Sequence, residues 1–210
     1  MTPAEISQAA QALFAAEKSH KQIGLLTRAH PEMTMDDAYA VQKVLVALKI
    51  ADGRRVIGWK IGLTSKAMQY ALNIDIPDSG ILFDDMHFED GATVPARRFI
   101  QPRIEAEIAF VMKADLDGAA RRDEVLAATD YVCPSLEILD TRIERVDAHT
   151  GQTRKIFDTI SDNAANAGIV LGEVIADRFG EHAGLLGDLF GHEMLVTALV
   201  DLARLDLDSL

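Results

Sequence analysis

The chain has 210 residues, and 49% of them are hydrophobic, which is enough to bury the core of one ordinary domain. Acidic residues outnumber basic ones by 33 to 21, and the formal net charge of −12 argues against nucleic acid as a partner, because phosphate binding depends on Lys and Arg. No run approaches the roughly 20 apolar residues of a membrane helix, and the first residues show no basic leader, so we expect no membrane partner and a cytoplasmic location.

The predicted elements begin with two helices. Thr2 stands three residues before Glu5, with a proline between them, which is the pattern of a capped helix start. A second helix is predicted from Thr34, whose first turn has two aspartates where the helix dipole favours them. Gly53 is expected to end this helix. Residues 1–53 are therefore predicted to form an N-terminal helical region.

The rest of the chain has short runs of strand-forming residues separated by Gly, Pro and Asp. Strands are predicted at residues 81–83, 93–94, 104–112 and 132–139. Two helices followed by a mostly β body predict the α+β class, with the β body at residues 54–172. Residues 173–210 form a separate tail, in which the Leu/Ala-rich residues 194–207 predict a helix.

Three glutamates on two predicted strands are candidate metal ligands. In IEAEIAF, residues 104–110, Glu105 and Glu107 share one strand face and lie about 6.5–7 Å apart. Glu137 is an acid within another, otherwise apolar strand, where an unpaired carboxylate is costly. A hard divalent cation such as Mg²⁺ or Mn²⁺ satisfies such a set of carboxylates. The alternative, which the pattern favours equally, is solvated glutamates or ion pairs with Arg103, Arg142 or Arg145.

Lys60 lies between Trp59 and Ile61 in the apolar run GWKIG. A partly buried lysine there suits proton transfer or the polarisation of a carbonyl group. A strand-edge lysine with its ammonium group in solvent is the alternative. Asp78 follows a proline in a predicted turn, and turn capping is sufficient to explain it.

The stretch FDTISDNAANAG, residues 157–168, has neither helical nor strand periodicity. Its small and polar residues predict a tight loop that offers hydroxyl, amide and backbone N–H groups to an anion. An ordinary surface loop is the alternative. Arg154 and Lys155 precede the stretch and suit either carboxylate binding or a solvated basic pair.

Five segments resemble the hydratase and decarboxylase branch of the fumarylacetoacetate hydrolase superfamily, and the resemblance extends to Gly172. The segments are GWKIGLTSKAMQ, LFDDM, QPRIEAEIAFV, ATDYVCPSLE and RKIFDTISDNAANAG. The resemblance implies N-terminal helices followed by a mixed β-roll, assembly into a homo-oligomer, and a Mg²⁺ cofactor, with Mn²⁺ as a second option. It also implies a lyase that adds water to the conjugated alkene of 2-oxohept-3-ene-1,7-dioate, giving 4-hydroxy-2-oxoheptanedioate in aromatic (homoprotocatechuate) catabolism.

The resemblance also assigns roles to residues. The positions that match metal ligands are Glu105, Glu107 and Glu137, and those that match catalytic residues are Lys60 and Asp78. Ser161 and Asn163 match the loop that lines the substrate pocket. We further hypothesise that Arg154 binds the carboxylate at the far end of the substrate.

Other activities in the same superfamily are alternatives, namely 2-hydroxypenta-2,4-dienoate hydratase, 4-oxalocrotonate decarboxylase and acylpyruvate-type hydrolase. Because the resemblance stops after Gly172, the β-roll is predicted to be incomplete at the C-terminus, and residues 173–210 to be a truncated, frameshifted or divergent ending. An alternative of another class is an inactive remnant that binds only family subunits or a metal.

Overall fold

The structure is a computed structural model that describes residues 1–64, 69–70, 77–95, 97–116 and 118–173, and the backbone of residues 196–200. Its helices are α1 (Pro3–Ser19), α2 (Leu26–Ala29), α3 (Met35–Ala51), α4 (Arg122–Ala128) and α5 (Ile156–Ser161). Its strands are β1 (Val56–Gly62), β2 (Asp78–Phe83), β3 (His87–Phe88), β4 (Arg103–Met112), β5 (Thr129–Leu139), β6 (Asn166–Leu171) and β7 (Val196–Val200). These elements confirm the predicted α+β class. None of the helices in the described part of the chain is long and apolar enough to cross a membrane.

Both long N-terminal helices begin at the predicted caps. The Glu5 N–H donates to the Thr2 hydroxyl at 3.4 Å, and the Thr2 N–H donates to the Glu5 carboxylate at 2.7 Å. Thr34 and Asp37 form the same reciprocal pair at 3.2 and 2.9 Å. The helices bury one shared core, whose members include Leu13, Val41, Leu45 and, from α5, Ile160. This core anchors α5, the helix that leads into the functional site.

The strands form one sheet in the order β2-β1-β7-β4-β5-β6-β3. Strands β4 and β5 run antiparallel side by side along their whole length. One sheet face buries a cluster that includes Ile57, Ala109 and Cys133, and the other face buries Ile108, Phe110 and Val132. The middle of β4 is therefore covered on both faces, and its acidic residues lie towards its start.

The predicted helix at residues 194–207 is wrong where the structure describes the tail, because residues 196–200 form β7. This strand lies between β1, to which it is antiparallel, and β4, to which it is parallel. The stretch VTALV contains β-branched residues, which suit a strand, and pairing on both sides satisfies backbone groups of three strands. Tertiary pairing thus overrides the helical composition of the tail. The division into residues 1–53, 54–172 and 173–210 stays a prediction.

The loop predicted at residues 157–168 is also wrong. Residues 157–168 contain all but the first residue of α5, a single 3₁₀ turn at Asn163–Ala165 and the start of β6. Elements of three to six residues are too short to show a period. Most of this stretch is buried, and several of its polar side chains bond to distant parts of the chain. Asp158, for example, accepts from the Thr27 N–H at 2.9 Å and the Thr27 hydroxyl at 2.7 Å. Residues 93–94, predicted as a strand, have no regular structure.

Candidate metal centre and active site

Strand pairing brings the three predicted ligands together. Glu105 of β4 lies directly opposite Glu137 of β5, and Glu107 lies opposite Ser135 on the same face. One carboxylate oxygen from each glutamate lies within 4.8 Å of the other two. Glu107 and Glu137 are buried, whereas Glu105 is exposed. Three oxygen donors at this spacing, open on one side, match the preference of a hard divalent cation.

Glu137 provides the test of whether the cluster fits a cation. It is 2% exposed, and neither carboxylate oxygen accepts a hydrogen bond from any residue that the structure describes. Burial raises the pKa of Glu137 to about 7, Lys60 opposes the shift, and the charges of Glu105 and Glu107 add to it. A bound cation satisfies both oxygens and removes the repulsion. The residues present therefore fit a divalent metal.

Lys60 of β1 is buried, which decides between its two predicted environments. Its ammonium nitrogen donates to the Ala164 carbonyl at 3.1 Å and lies 3.6 Å from Glu137 Oε1. The ion partner of Glu137 is therefore Lys60, while Arg142, one of the arginines considered for that role, pairs with Asp162 at 2.6 Å. This arrangement places a positively charged side chain beside the carboxylate cluster.

Asp78 is the first residue of β2 and pairs with Gly62 of β1, so it lies in the sheet and not in a capping turn. Its side chain is buried, and burial raises its pKa, although the charge of Lys60 and nearby backbone N–H groups act in the opposite direction. A carboxyl group with a raised pKa beside a lysine can hold or release a proton. Asp78 and Lys60 therefore lie close enough to interact electrostatically.

Gly62 is a site residue that the sequence did not single out. A Cβ atom at this position would collide with the Asp78 carboxylate and lie 3.0 Å from Lys60 Nζ. We expect Gly62→Ala to lower kcat on the order of 100-fold, because small displacements of catalytic groups have effects of that size. Mg²⁺ affinity, measured by isothermal titration calorimetry, should stay within twofold.

Gly24→Ala is the matched control, because a Cβ atom there meets nothing within 4 Å. It should leave both quantities unchanged. Equal kcat values for Gly62→Ala and the unmodified chain would contradict the tight fit around Lys60.

A cavity of about 600 Å³ opens over these groups. Its walls include Lys60, Asp78, Glu105, Glu107, Arg154 and Lys155. Arg154 donates to the Thr141 hydroxyl at 2.7 Å, and burial, followed by the like charge of Arg145, lowers its pKa. A negatively charged ligand group beside Arg154 would offset the repulsion between Arg154 and Arg145. The cavity thus combines an acidic region with a basic one.

Ser161 and Asn163 have side chains that bond to the protein backbone. The Ser161 hydroxyl donates to the Phe157 carbonyl at 2.8 Å. Asn163 accepts from the Ile81 N–H at 2.7 Å and donates to the Ile81 carbonyl at 2.8 Å. In this arrangement they shape the segment that leads to Ala164 and Ala165, which line the cavity. Substrate contact by Ser161 or Asn163 stays a prediction.

Comparisons with known proteins place these residues in context. No family model matches the chain. The chain is 54% identical over 164 residues to 2-oxo-hept-4-ene-1,7-dioate hydratase of Escherichia coli, covering 78% of this chain and 61% of that relative. It is 44% identical over 188 residues to 2-keto-4-pentenoate hydratase of Paraburkholderia xenovorans, covering 89% and 68%. The chain thus spans about two thirds of the length of the curated relatives that it matches.

The fold also matches a solved structure. It superposes with a TM-score of 0.74 and 35% sequence identity on 4-oxalocrotonate decarboxylase from Pseudomonas putida G7, complexed with magnesium and adipate. The match covers 82% of this chain and 64% of that one.

Proposed function

Because the chain belongs to the hydratase and decarboxylase branch of the fumarylacetoacetate hydrolase superfamily, we propose that it hydrates a seven-carbon 2-oxo dioic acid to 4-hydroxy-2-oxoheptanedioate. The observation that supports this most directly is the cavity that joins a three-carboxylate cluster and Lys60 to the basic pair Arg154–Lys155. Such a cavity suits a substrate with an anionic group at each end.

Mg²⁺ is the proposed cofactor, held by Glu105, Glu107 and Glu137. The solved decarboxylase with magnesium supports this choice, and Mn²⁺ has similar oxygen preferences. When bound, the metal would supply Lewis-acid polarisation of a 2-oxo acid and electrostatic stabilisation of the negative charge that develops on the substrate.

Residues of the chain itself then transfer the protons. Lys60 is held by the Ala164 carbonyl, and Asp78 lies beside Lys60, so both side chains can exchange protons with carbon 3 and with the incoming water. We propose that Lys60 moves the proton at carbon 3 and that Asp78 orients Lys60 or the water. Water adds its oxygen at carbon 4, the carbon made electrophilic by conjugation, and keeps one hydrogen as the new hydroxyl group. The other proton of the water is released and replaces the proton delivered to carbon 3.

The position of the alkene in the substrate separates two variants of this reaction. Our proposal starts from the conjugated 3-ene, whereas the Escherichia coli relative is named for the 4-ene. Moving a proton from carbon 3 to carbon 5 converts the 4-ene into the 3-ene, after which the same hydration follows. Both isomers therefore belong in the assay.

The test is turnover of both isomers by the 210-residue chain, first with Mg²⁺ and then with EDTA. Ultraviolet absorbance follows the conjugated 3-ene, and chromatographic detection of 4-hydroxy-2-oxoheptanedioate follows the 4-ene, whose alkene is not conjugated with the ketone. We expect Mg²⁺-dependent loss of the conjugated chromophore, abolished by Glu105→Gln and retained by Glu89→Gln, which changes an exposed glutamate outside the site. A folded chain that binds Mg²⁺ but turns over neither isomer would favour the inactive remnant. Formation of CO₂ from 4-oxalocrotonate would favour a decarboxylase. Sedimentation of the same preparation tests the proposed homo-oligomer.

A prediction about the distal carboxylate follows from Arg154. We expect Arg154→Ala to lower kcat/KM for the dioic acid about 10- to 100-fold, the usual effect of losing a hydrogen bond to a charged group. The loss for 2-keto-4-pentenoate, which lacks the second carboxylate, should be less than about threefold by the same reasoning. Kinetics with both substrates measures the difference.

Arg121→Ala is the control for general effects of removing an arginine, because this side chain is 70% exposed and pairs with its sequence neighbours Asp123 and Glu124. It should change neither substrate's kinetics. Equal losses for the two substrates in Arg154→Ala would show that Arg154 does not bind the distal carboxylate.

A further inference from the structure

The carbonyl group that holds Lys60 lies in an unusual turn. Asn163, Ala164 and Ala165 have φ angles of 54°, 54° and 57°, so three consecutive residues other than glycine adopt the left-handed conformation. Each such residue is strained and persists only when its surroundings enforce it. The middle residue of the turn, Ala164, supplies the carbonyl that accepts from Lys60 Nζ at 3.1 Å. The strain is thus located at the atom that orients the lysine.

Arg142 holds the turn at both of its ends. Its Nε donates to Asp162 Oδ1 at 2.6 Å, and its Nη2 donates to the Asp162 carbonyl at 2.7 Å, just before the turn. Its two terminal nitrogens also lie 3.4 Å from the Asn166 carbonyl, just after the turn. The Arg142 backbone N–H donates to Asp162 Oδ2 at 2.8 Å. Arg142 is 2% exposed and Asp162 is fully buried, so water does not compete for these bonds.

The opposite side of the turn is attached to β2. Asn163 exchanges two hydrogen bonds with the backbone of Ile81, and Gly80 has no room for a side chain because its Cβ would lie 2.5 Å from the Asn163 carbonyl. The turn therefore lies between β2 on one side and the guanidinium group on the other.

We infer that Arg142, acting together with Asp162, is a positioning residue for Lys60: its guanidinium group holds the left-handed turn that aims the Ala164 carbonyl at the lysine ammonium group. This inference rests on the proposed function, in which Lys60 transfers protons. Arginine is required because its planar fork reaches a carboxylate and two carbonyl groups at once, whereas a lysine ammonium is a point charge. A merely stabilising ion pair needs only the contact between Arg142 and the Asp162 carboxylate.

The test compares Arg142→Lys with Arg54→Lys in the full 210-residue chain. Arg54, like Arg142, pairs with a carboxylate. Its partner is Glu17, and the pair is partly buried and lies outside the turn. The direct readout is the exchange protection of the Lys60 ammonium protons by ¹⁵N nuclear magnetic resonance, with the signal assigned by its loss in Lys60→Met. We expect Arg142→Lys to abolish this protection and Arg54→Lys to preserve it.

Kinetics supplies the second readout. Arg142→Lys should lower kcat about 10- to 100-fold, as displacement of a catalytic group does, while KM and Mg²⁺ affinity change less than about threefold because the metal ligands are untouched. In the Lys60→Met background, Arg142→Lys should have no further effect on kcat, because residues that act through one group are not additive.

Either of two outcomes would overturn the inference: an unchanged Lys60 signal in a folded Arg142→Lys chain, or kcat losses that multiply in the double variant. If Arg142→Lys does not fold, Asp162→Asn is the second variant, because asparagine keeps the shape of the buried aspartate. The measurement is again the exchange protection of the Lys60 ammonium protons. If the proposed function is wrong and the inference is right, the result is different. The chain then turns over no substrate, but the exchange protection of the Lys60 ammonium protons still depends on Arg142.

Discussion

Substitution of Glu137 by Gln is expected to abolish Mg²⁺ binding and, in the metal-free chain, to raise the free energy of unfolding above pH 7. The first effect follows because Glu137 is a buried ligand in the carboxylate cluster. An amide has no charge and only one acceptor oxygen, so binding of a hard cation falls sharply. Hydration activity should be lost with the metal.

The effect on stability follows from the pKa of Glu137. Burial raises this pKa from 4.5 to about 7, so the folded chain binds the proton more tightly than the unfolded chain does. The contribution of Glu137 to stability is therefore greatest below its unfolded pKa and falls as pH rises from 4.5 to about 7. A shift of this size corresponds to about 3 kcal/mol. Gln cannot ionise, so Glu137→Gln lacks this loss.

Denaturant unfolding in EDTA at several pH values between 5 and 8 measures the difference. The unmodified chain should lose about 3 kcal/mol over this range relative to Glu137→Gln, and Glu89→Gln, at an exposed position, should behave like the unmodified chain. Added Mg²⁺ should stabilise the unmodified chain and not Glu137→Gln, because only a state that binds the ion is stabilised by it. Parallel pH profiles for the unmodified chain and Glu137→Gln would contradict the raised pKa of Glu137.

Substitution of Lys60 by Met is expected to lower kcat about 10²- to 10⁴-fold, the usual contribution of a general acid or base. The methionine preserves the apolar length of the side chain, so the packing of β1 changes little. Mg²⁺ affinity should stay the same or rise, because the substitution removes a positive charge that lies 3.6 Å from Glu137. Loss of activity with retained metal binding separates a catalytic role from a structural one.

Lys43→Met, on the exposed face of α3, is the matched control and should leave both kcat and Mg²⁺ affinity unchanged. Turnover assays and calorimetry on the three chains provide the comparison. A normal kcat for Lys60→Met would show that Lys60 does not take part in proton transfer. Loss of Mg²⁺ binding in Lys60→Met would show that the lysine maintains the structure of the site.

The sequence by itself predicted the elements that depend on local interactions. The starts of α1 and α3 follow from caps in which Thr2 contacts Glu5 and Thr34 contacts Asp37, three residues along the chain. The placement of Glu105 and Glu107 on one face of β4 likewise follows from the strand period of two. These features need no information about distant parts of the chain. Glu137 and Lys60 were candidates because each is a charged residue in an apolar strand, and the resemblance to a known family favoured the metal-ligand and catalytic roles over the alternatives.

The tertiary structure decided the interactions between distant segments. It paired Glu105 with Glu137 across two strands, brought Lys60 to them from a third, and placed the backbone of residues 196–200 between β1 and β4. Arg142 was an open candidate for pairing with Glu137 and instead bonds with Asp162.

The polar residues of the stretch 157–168 were misinterpreted as a loop because their partners, such as Thr27 and Ile81, lie far away in sequence. Hydrogen bonds and ion pairs between remote segments depend on how the whole chain packs, and no short sequence window records that packing. For this protein, local sequence therefore determined which residues have the chemistry, and the packing of the sheet determined which of them meet.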